Sequence, residues 1–344
     1  MDNNRSATPS NTANNYVRSN FWSHNNYTGG GLLLYLAIFM GLQILVEIIG
    51  AVVLVLKDPS LGSWERFRDY YNELMDLSMN GWVYIGSLVV GIAALFLFFR
   101  KKLAVRDIFQ TPKKMSIRAF FTIFFIFFAA QFVGQVINIV LELFLNLFGL
   151  SNSAMEELMA EIFKHPSMIL YAAIFGPIAE ELVFRGFLMR RFQAWGKMFA
   201  IVMTSVLFGL FHMNFVQIPY AMIVGLVLAY TAMEYGIKWS IIFHIINNGI
   251  FSCGFAMLSQ VESVGQTKAA LMEWGFLGIC FIVGLIFFVN NLAYIKEYAR
   301  RNRSGQNQYL WCFTTVTMIL LVVLTLGMAV FTLLSLDMTM LFDN

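Results

Sequence analysis

LLLYLAIFMGLQILVEIIGAVVLVL, residues 32–56, decides the fold. Apolar side chains follow one another without the alternation of a half-buried strand, and the only ionisable group among them is Glu47. A helix needs roughly 20 such residues to cross a bilayer, and only helices or closed barrels satisfy their backbone there. Eight further stretches read the same way: 82–99, 119–149, 168–192, 198–214, 217–236, 239–260, 270–294 and 310–336. The fold class that follows is all-α, a polytopic transmembrane helix bundle of nine spans, with eight as the alternative count. The third stretch is too long for one upright span, so it tilts or runs beyond the bilayer.

Composition agrees. Of 344 residues, 59% are hydrophobic and only 12% charged. Soluble domains are about a quarter charged. This balance excludes a soluble globular protein, a disordered chain and a nucleic-acid binder with a basic face, and makes the lipid bilayer the first partner. Cys253, Cys280 and Cys312 lie in apolar stretches without CxxC spacing, which argues against a disulfide framework or a cysteine metal site.

Residues 1–31 are rich in Asn, Ser and Thr and read as a disordered tail rather than a cleaved signal peptide. Residues 57–81 form the longest loop, with at most one amphipathic helical turn. With the N-terminus inside, 18 of the Lys and Arg residues fall on inner segments and 5 on outer ones. That asymmetry is what the positive-inside rule expects of an inside N-terminus.

Charge within the hydrocarbon core is unfavourable by roughly 2.5–3.5 kcal/mol per group on insertion scales, so each such residue is a functional candidate. Glu47, Glu142 and Glu234 are scattered examples without an assigned role. The others concentrate between residues 180 and 248. Phe175-Gly176-Pro177-Ile178-Ala179-Glu180-Glu181-Leu182-Val183-Phe184-Arg185 holds Glu181 and Arg185 at i and i+4, the favoured order for a helical ion pair. Glu180 points about 100° away around the helix and lacks that partner. Pro177 removes a backbone N–H just before the pair and frees a carbonyl. The next span carries Phe208-Gly209-Leu210-Phe211-His212. Glu180 and His212 are equally far from the turn near Gly196, so an antiparallel hairpin brings them level and the expectation is that they face each other. In the seventh span His244 and Asn248 are i and i+4, with Ser240 extending the same stripe.

One unpartnered carboxylate, two imidazoles and an amide suit the attack of water on an amide carbonyl. A carboxylate with an imidazole holds and deprotonates water, and an imidazole with an amide N–H stabilises an oxyanion. The same residues leave two other readings open: Glu180, His212 and His244 are also a possible zinc-ligand set, and Glu with His is also a proton relay in transporters. A proton-coupled transporter would show internal repeats, which are absent. HExxH and GxSxG are absent as well.

Taken together, Glu180-Glu181-Leu182-Val183-Phe184-Arg185 as EExxxR, Phe208–His212 as FxxxH and His244–Asn248 as HxxxN resemble the CPBP family, the CAAX-protease and bacteriocin-processing intramembrane endopeptidases. The resemblance spans about 168–260. It implies Glu180 as the base that activates water, His212 as its helper, His244 and Asn248 as the oxyanion site, and Glu181 with Arg185 as the supporting pair. It also implies a multi-pass protein of a bacterial plasma membrane, acting without a required cofactor, with zinc as the alternative. The substrate would be a peptide or protein, in some members prenylated at a CAAX C-terminus. Some members serve instead as non-catalytic immunity or regulatory proteins. The expected organisation is a tail (1–31), an N-terminal transmembrane region (32–165), a CPBP-like catalytic core (166–260) and a C-terminal transmembrane pair (261–344).

Overall fold

The computed structural model describes residues 11–57, 73, 77, 79–151 and 165–342, together with the backbone alone at several of these positions. Most of the loop expected at 57–81 and residues 152–164 lie outside the described residues, as does the start of the tail. The described residues are helices joined by short turns, with no strand among them. In chain order the helices are α1 (Asn11–Lys57), α2 (Gly81–Phe99), α3 (Ile117–Asn146), α4 (Pro166–Trp195), α5 (Lys197–Leu210), α6 (Gln217–Tyr235), α7 (Ile237–Ser259), α8 (Gly265–Asn290), α9 (Leu292–Arg301), α10 (Gln306–Cys312) and α11 (Val316–Phe342).

Eight of these are long and apolar enough to cross a membrane. The expected fifth span, 198–214, is the shorter α5: its 14 residues extend about 21 Å, and the chain then turns at 211–216 into α6. The third span is a 30-residue helix of about 45 Å, so it does exceed the bilayer. Residues 11–31, read from composition as a tail, continue α1. They are held by packing rather than by propensity. Phe21 is fully buried against Trp195, Phe199 and Trp311, and Asn26 Oδ1 accepts from the Thr317 backbone N–H at 3.2 Å. A polar composition still folds when its aromatic anchors meet a waiting surface.

Small residues set the closest approaches, as expected where lipid gives helices no hydrophobic reason to associate. A Cβ on Gly284 of α8 would lie 2.3 Å from the Phe125 carbonyl of α3, and one on Gly209 of α5 would lie 2.6 Å from the Ile218 carbonyl of α6. Gly196 joins α4 to α5 at φ +119°, a conformation side chains rarely permit.

The segments that the charge count assigns to one side meet at one end of the bundle. Lys113 N–H donates to Glu234 O at 3.0 Å, and Met198 N–H donates to Asn302 O at 3.2 Å. Arg191 donates to Lys102 O at 3.4 Å. His24, assigned by sequence to the tail, belongs here too: its Nε2 lies 2.9 Å from Arg191 O.

Candidate active site

Two helices in this region are partly wound as π-helix. In α4, Tyr171–Phe175 and Leu182–Leu188 are π turns flanking Gly176–Glu181. In α7, Ile246–Cys253 is π. Such bulges need an interruption in the ordinary ladder, and Pro177 supplies one. Gly176 N–H reaches back five residues to Tyr171 O, and Pro177 has no N–H to offer next. Ala172 O accepts instead from Asn248 Nδ2 of α7 at 3.2 Å. The carbonyl freed by the proline is thus one point where α4 and α7 join.

Glu181 is a structural node. Its side chain and that of Arg185 are wholly buried and 3.1 Å apart. Its Oε1 also accepts from His244 Nδ1 at 3.0 Å, and Oε2 accepts from Ser240 Oγ. Arg185 donates to Gly225 O of α6 at 3.2 Å and lies 4.3 Å from the centre of the Phe208 ring. The carboxylate and guanidinium therefore pin α4, α5, α6 and α7 together.

Glu180 differs. It makes no hydrogen bond and no close Lys or Arg contact among the described residues, although Arg185 lies within electrostatic reach, and 31% of its side chain remains open. Its Oε2 lies 3.7 Å from His244 Nε2. Tyr35 of α1 and Tyr171 of α4 are within electrostatic reach of it. His244 thus stands between the two glutamates. A carboxylate only accepts, so the Glu181 contact puts a proton on His244 Nδ1 and leaves Nε2 facing Glu180.

Glu180 and His212, expected to face each other, make no direct contact. No hydrogen bond or ion pair joins them. His212 Nδ1 is 2.8 Å from Phe208 O of its own helix, which makes Nδ1 the donor and leaves Nε2 its lone pair. What His212 and His244 share is Phe208: both rings meet it edge-on, at 4.9 and 5.8 Å between centres. Equal distance from a turn fixes the level of two residues but not the direction each faces.

Among the described residues no three His, Cys, Asp or Glu side chains are grouped to hold a metal ion; the His212 and His244 imidazoles each bond an oxygen through Nδ1 and keep Nε2 open.

Sequence reasoning passed over an amide chain behind Asn248. Asn247 Nδ2 donates to Asn248 Oδ1 at 2.9 Å. Gln131 Nε2 of α3 donates to Asn247 Oδ1, and Tyr220 OH of α6 donates to Gln131 Oε1 at 2.7 Å. Gln131 and Asn247 are each 5% exposed. The available signal was Gln131 itself, a buried amide amid a run of phenylalanines. Glu234, by contrast, is accounted for: it accepts from Lys197 Nζ at 2.8 Å and Tyr298 OH at 2.7 Å and pairs with Lys113. Glu142 accepts from Ser151 Oγ at 3.1 Å.

Fold and site together define a class: a multi-pass membrane protein with a carboxylate, imidazole and amide centre enclosed by α4–α7. Residues 162–250 match the family model described as Rce1-like, type II CAAX prenyl endopeptidase Rce1-like. The match spans about a quarter of the chain and is to a family of CAAX prenyl endopeptidases. No curated protein and no solved structure matches the chain.

Proposed function

We propose that this protein is an intramembrane endopeptidase that hydrolyses a peptide bond of a peptide or protein near the inner membrane face, with prenylated CAAX-type C-termini among the candidate substrates. The observation that carries this reading is the contrast between adjacent glutamates. Glu181 is saturated with partners, while Glu180 is an open carboxylate 3.7 Å from an imidazole nitrogen. An unpaired carboxylate inside a bilayer bundle is unfavourable to keep without a use.

In this mechanism Glu180 takes a proton from water as the oxygen attacks the carbonyl carbon. His212, with Nε2 as an acceptor, helps hold that water from the neighbouring helix. The negative charge that develops on the carbonyl oxygen is met by N–H donors of His244 and Asn248. Since the Nδ1 proton of His244 serves Glu181, a hydrogen bond from His244 to the oxyanion requires a proton on Nε2 as well. Collapse of the tetrahedral intermediate breaks the C–N bond, and the proton held by Glu180 passes to the leaving amine. Glu181 and Arg185 keep the imidazole in place.

The test is Glu180→Gln in the purified protein against a peptide bearing the physiological cleavage site, or a farnesylated CAAX peptide. The expected result is loss of cleavage at wild-type abundance and with a melting midpoint displaced by no more than about 0.5 kcal/mol of stability. Wild-type cleavage by the variant would refute the mechanism.

A further inference from the structure

We infer that Gln131, together with Asn247 and Tyr220, is a positioning element that fixes which way round the Asn248 amide stands. This rests on Asn248 being an oxyanion donor.

An asparagine amide has two nearly isosteric ends, and only one of them stabilises an oxyanion. Rotating Asn248 by half a turn about its last side-chain bond would place an acceptor where a donor is required. The structure contains a chain of contacts that removes this choice, and its polarity follows from one end. Ala172 O can only accept, so the Asn248 group beside it at 3.2 Å is Nδ2. Asn248 Oδ1 must then face its other neighbour, Asn247, which donates through Nδ2 at 2.9 Å. Asn247 Oδ1 is left to accept, and Gln131 Nε2 donates to it. Gln131 Oε1 accepts in turn, and the donor is the Tyr220 hydroxyl at 2.7 Å. Every link runs in the same direction, and no link can reverse alone without opposing two acceptors or two donors in a buried place.

The chain reaches across the bundle. Tyr220 comes from α6, Gln131 from α3, Asn247 and Asn248 from α7, and the terminal carbonyl from α4, where Pro177 has released it. α3 contributes nothing else to the site, and Gln131 is buried among aromatic residues where an amide without partners would be strongly unfavourable. The close approach that brings Tyr220 to it is also provided for: Gly134, one turn along α3, leaves room for the Tyr220 ring, which a Cβ there would meet at 2.4 Å.

Gln131→Glu tests this with almost no change of shape. Kinetics are taken at alkaline pH, where the buried carboxyl is ionised: it then still accepts from Tyr220 but cannot donate to Asn247, whereas its neutral form would donate as the amide does. Asn247 must turn its Nδ2 toward the carboxylate, so its Oδ1 meets Asn248 Oδ1; Asn248 can relieve that clash only by turning its own oxygen onto Ala172 O, and its amide is no longer held with one end fixed. Cleavage kinetics are measured for the wild type, Gln131→Glu and Asn248→Ala, and for the double variant. The expected result is a fall in kcat of about 100-fold for Gln131→Glu, the loss typical of one missing oxyanion donor, with KM within about twofold. Added to Asn248→Ala, Gln131→Glu should have no further effect, because it acts only through that residue. A kcat within about threefold of wild type, or an equal fall in both backgrounds, would overturn the inference. If Asn248→Ala itself cleaves normally, Asn248 is no oxyanion donor and the underlying reading fails instead. The positioning claim is then decided by proton exchange of the Asn248 side-chain amide in protein labelled with 15N-asparagine. Slow exchange in the wild type and fast exchange in Gln131→Glu would support it; identical exchange would overturn it.

Discussion

Glu181→Gln should unfold this protein more readily than any other conservative change at the site, and the size of the effect can be worked from its contacts. Glu181 and Arg185 are fully buried and 3.1 Å apart. Removing one partner of such a pair destabilises by about 3–5 kcal/mol, because the other charge stays behind in a medium of low dielectric. Two features pull the figure toward the lower end. Glutamine keeps one oxygen for His244 Nδ1, and Arg185 retains Gly225 O at 3.2 Å and the Phe208 ring face at 4.3 Å. The expected loss is therefore ~3 kcal/mol, a factor of more than 100 in the folded-to-unfolded ratio. The assay is reversible unfolding in mixed micelles, followed by tryptophan fluorescence, with Glu180→Gln alongside as the control that should scarcely move. The charge argument makes a second demand: Glu181→Leu combined with Arg185→Met removes both charges and should recover most of the stability that Glu181→Leu alone loses. A loss below about 1 kcal/mol for Glu181→Gln, or no recovery in the double variant, would refute the view of Glu181 as a structural node.

Pro177→Ala restores an N–H that competes for the carbonyl Asn248 now occupies; kcat should fall about tenfold with stability unchanged or slightly raised, and an unaltered kcat would contradict the coupling of proline to amide. Cleavage should persist after dialysis against a strong chelator, since no three ligands among the described residues are grouped for a metal; loss of activity restored by zinc alone would reverse that reading. At the end of the bundle, the hydrogen bond to Glu234 raises the Lys113 pKa above its usual 10.5. A raised folded pKa means that the stabilisation is complete below 10.5 and is lost as pH climbs through the higher folded value. Wild-type melting temperature should therefore drop more steeply above that point than that of Glu234→Gln, and parallel curves would show the contact to be inconsequential.

Much of the site was legible in the linear chain where the relevant geometry is local. Glu181 and Arg185 pair because i and i+4 share a helix face whatever surrounds them. Glu180 stands apart from them for the same reason. Which imidazole would meet Glu180 was not local. Level-matching across the α4–α5 hairpin selected His212, but α5 ends after 14 residues and the π turns of α4 rotate everything beyond Pro177. Glu180 meets His244 instead, from a helix about 60 residues further on. His244 and Asn248 were expected to share one stripe. Beyond Ile246 α7 widens to a π-helix, and Asn248 bonds to Ala172 while His244 bonds to Glu181.

The sequence by itself determined that this is a helical membrane protein, and why is plain: in hydrocarbon every backbone N–H and C=O needs a partner, so long apolar runs have no other stable form. It also determined where polar groups gather, since each one kept in the bilayer stands out against an apolar background. Only the tertiary structure decided how they are used. Whether a carboxylate is saturated or open depends on the rotation and crossing of four helices. The direction in which the Asn248 amide stands depends on a proline-freed carbonyl in α4 and a tyrosine in α6. Those contacts are set by packing between segments far apart in the chain, which no spacing within one helix can encode.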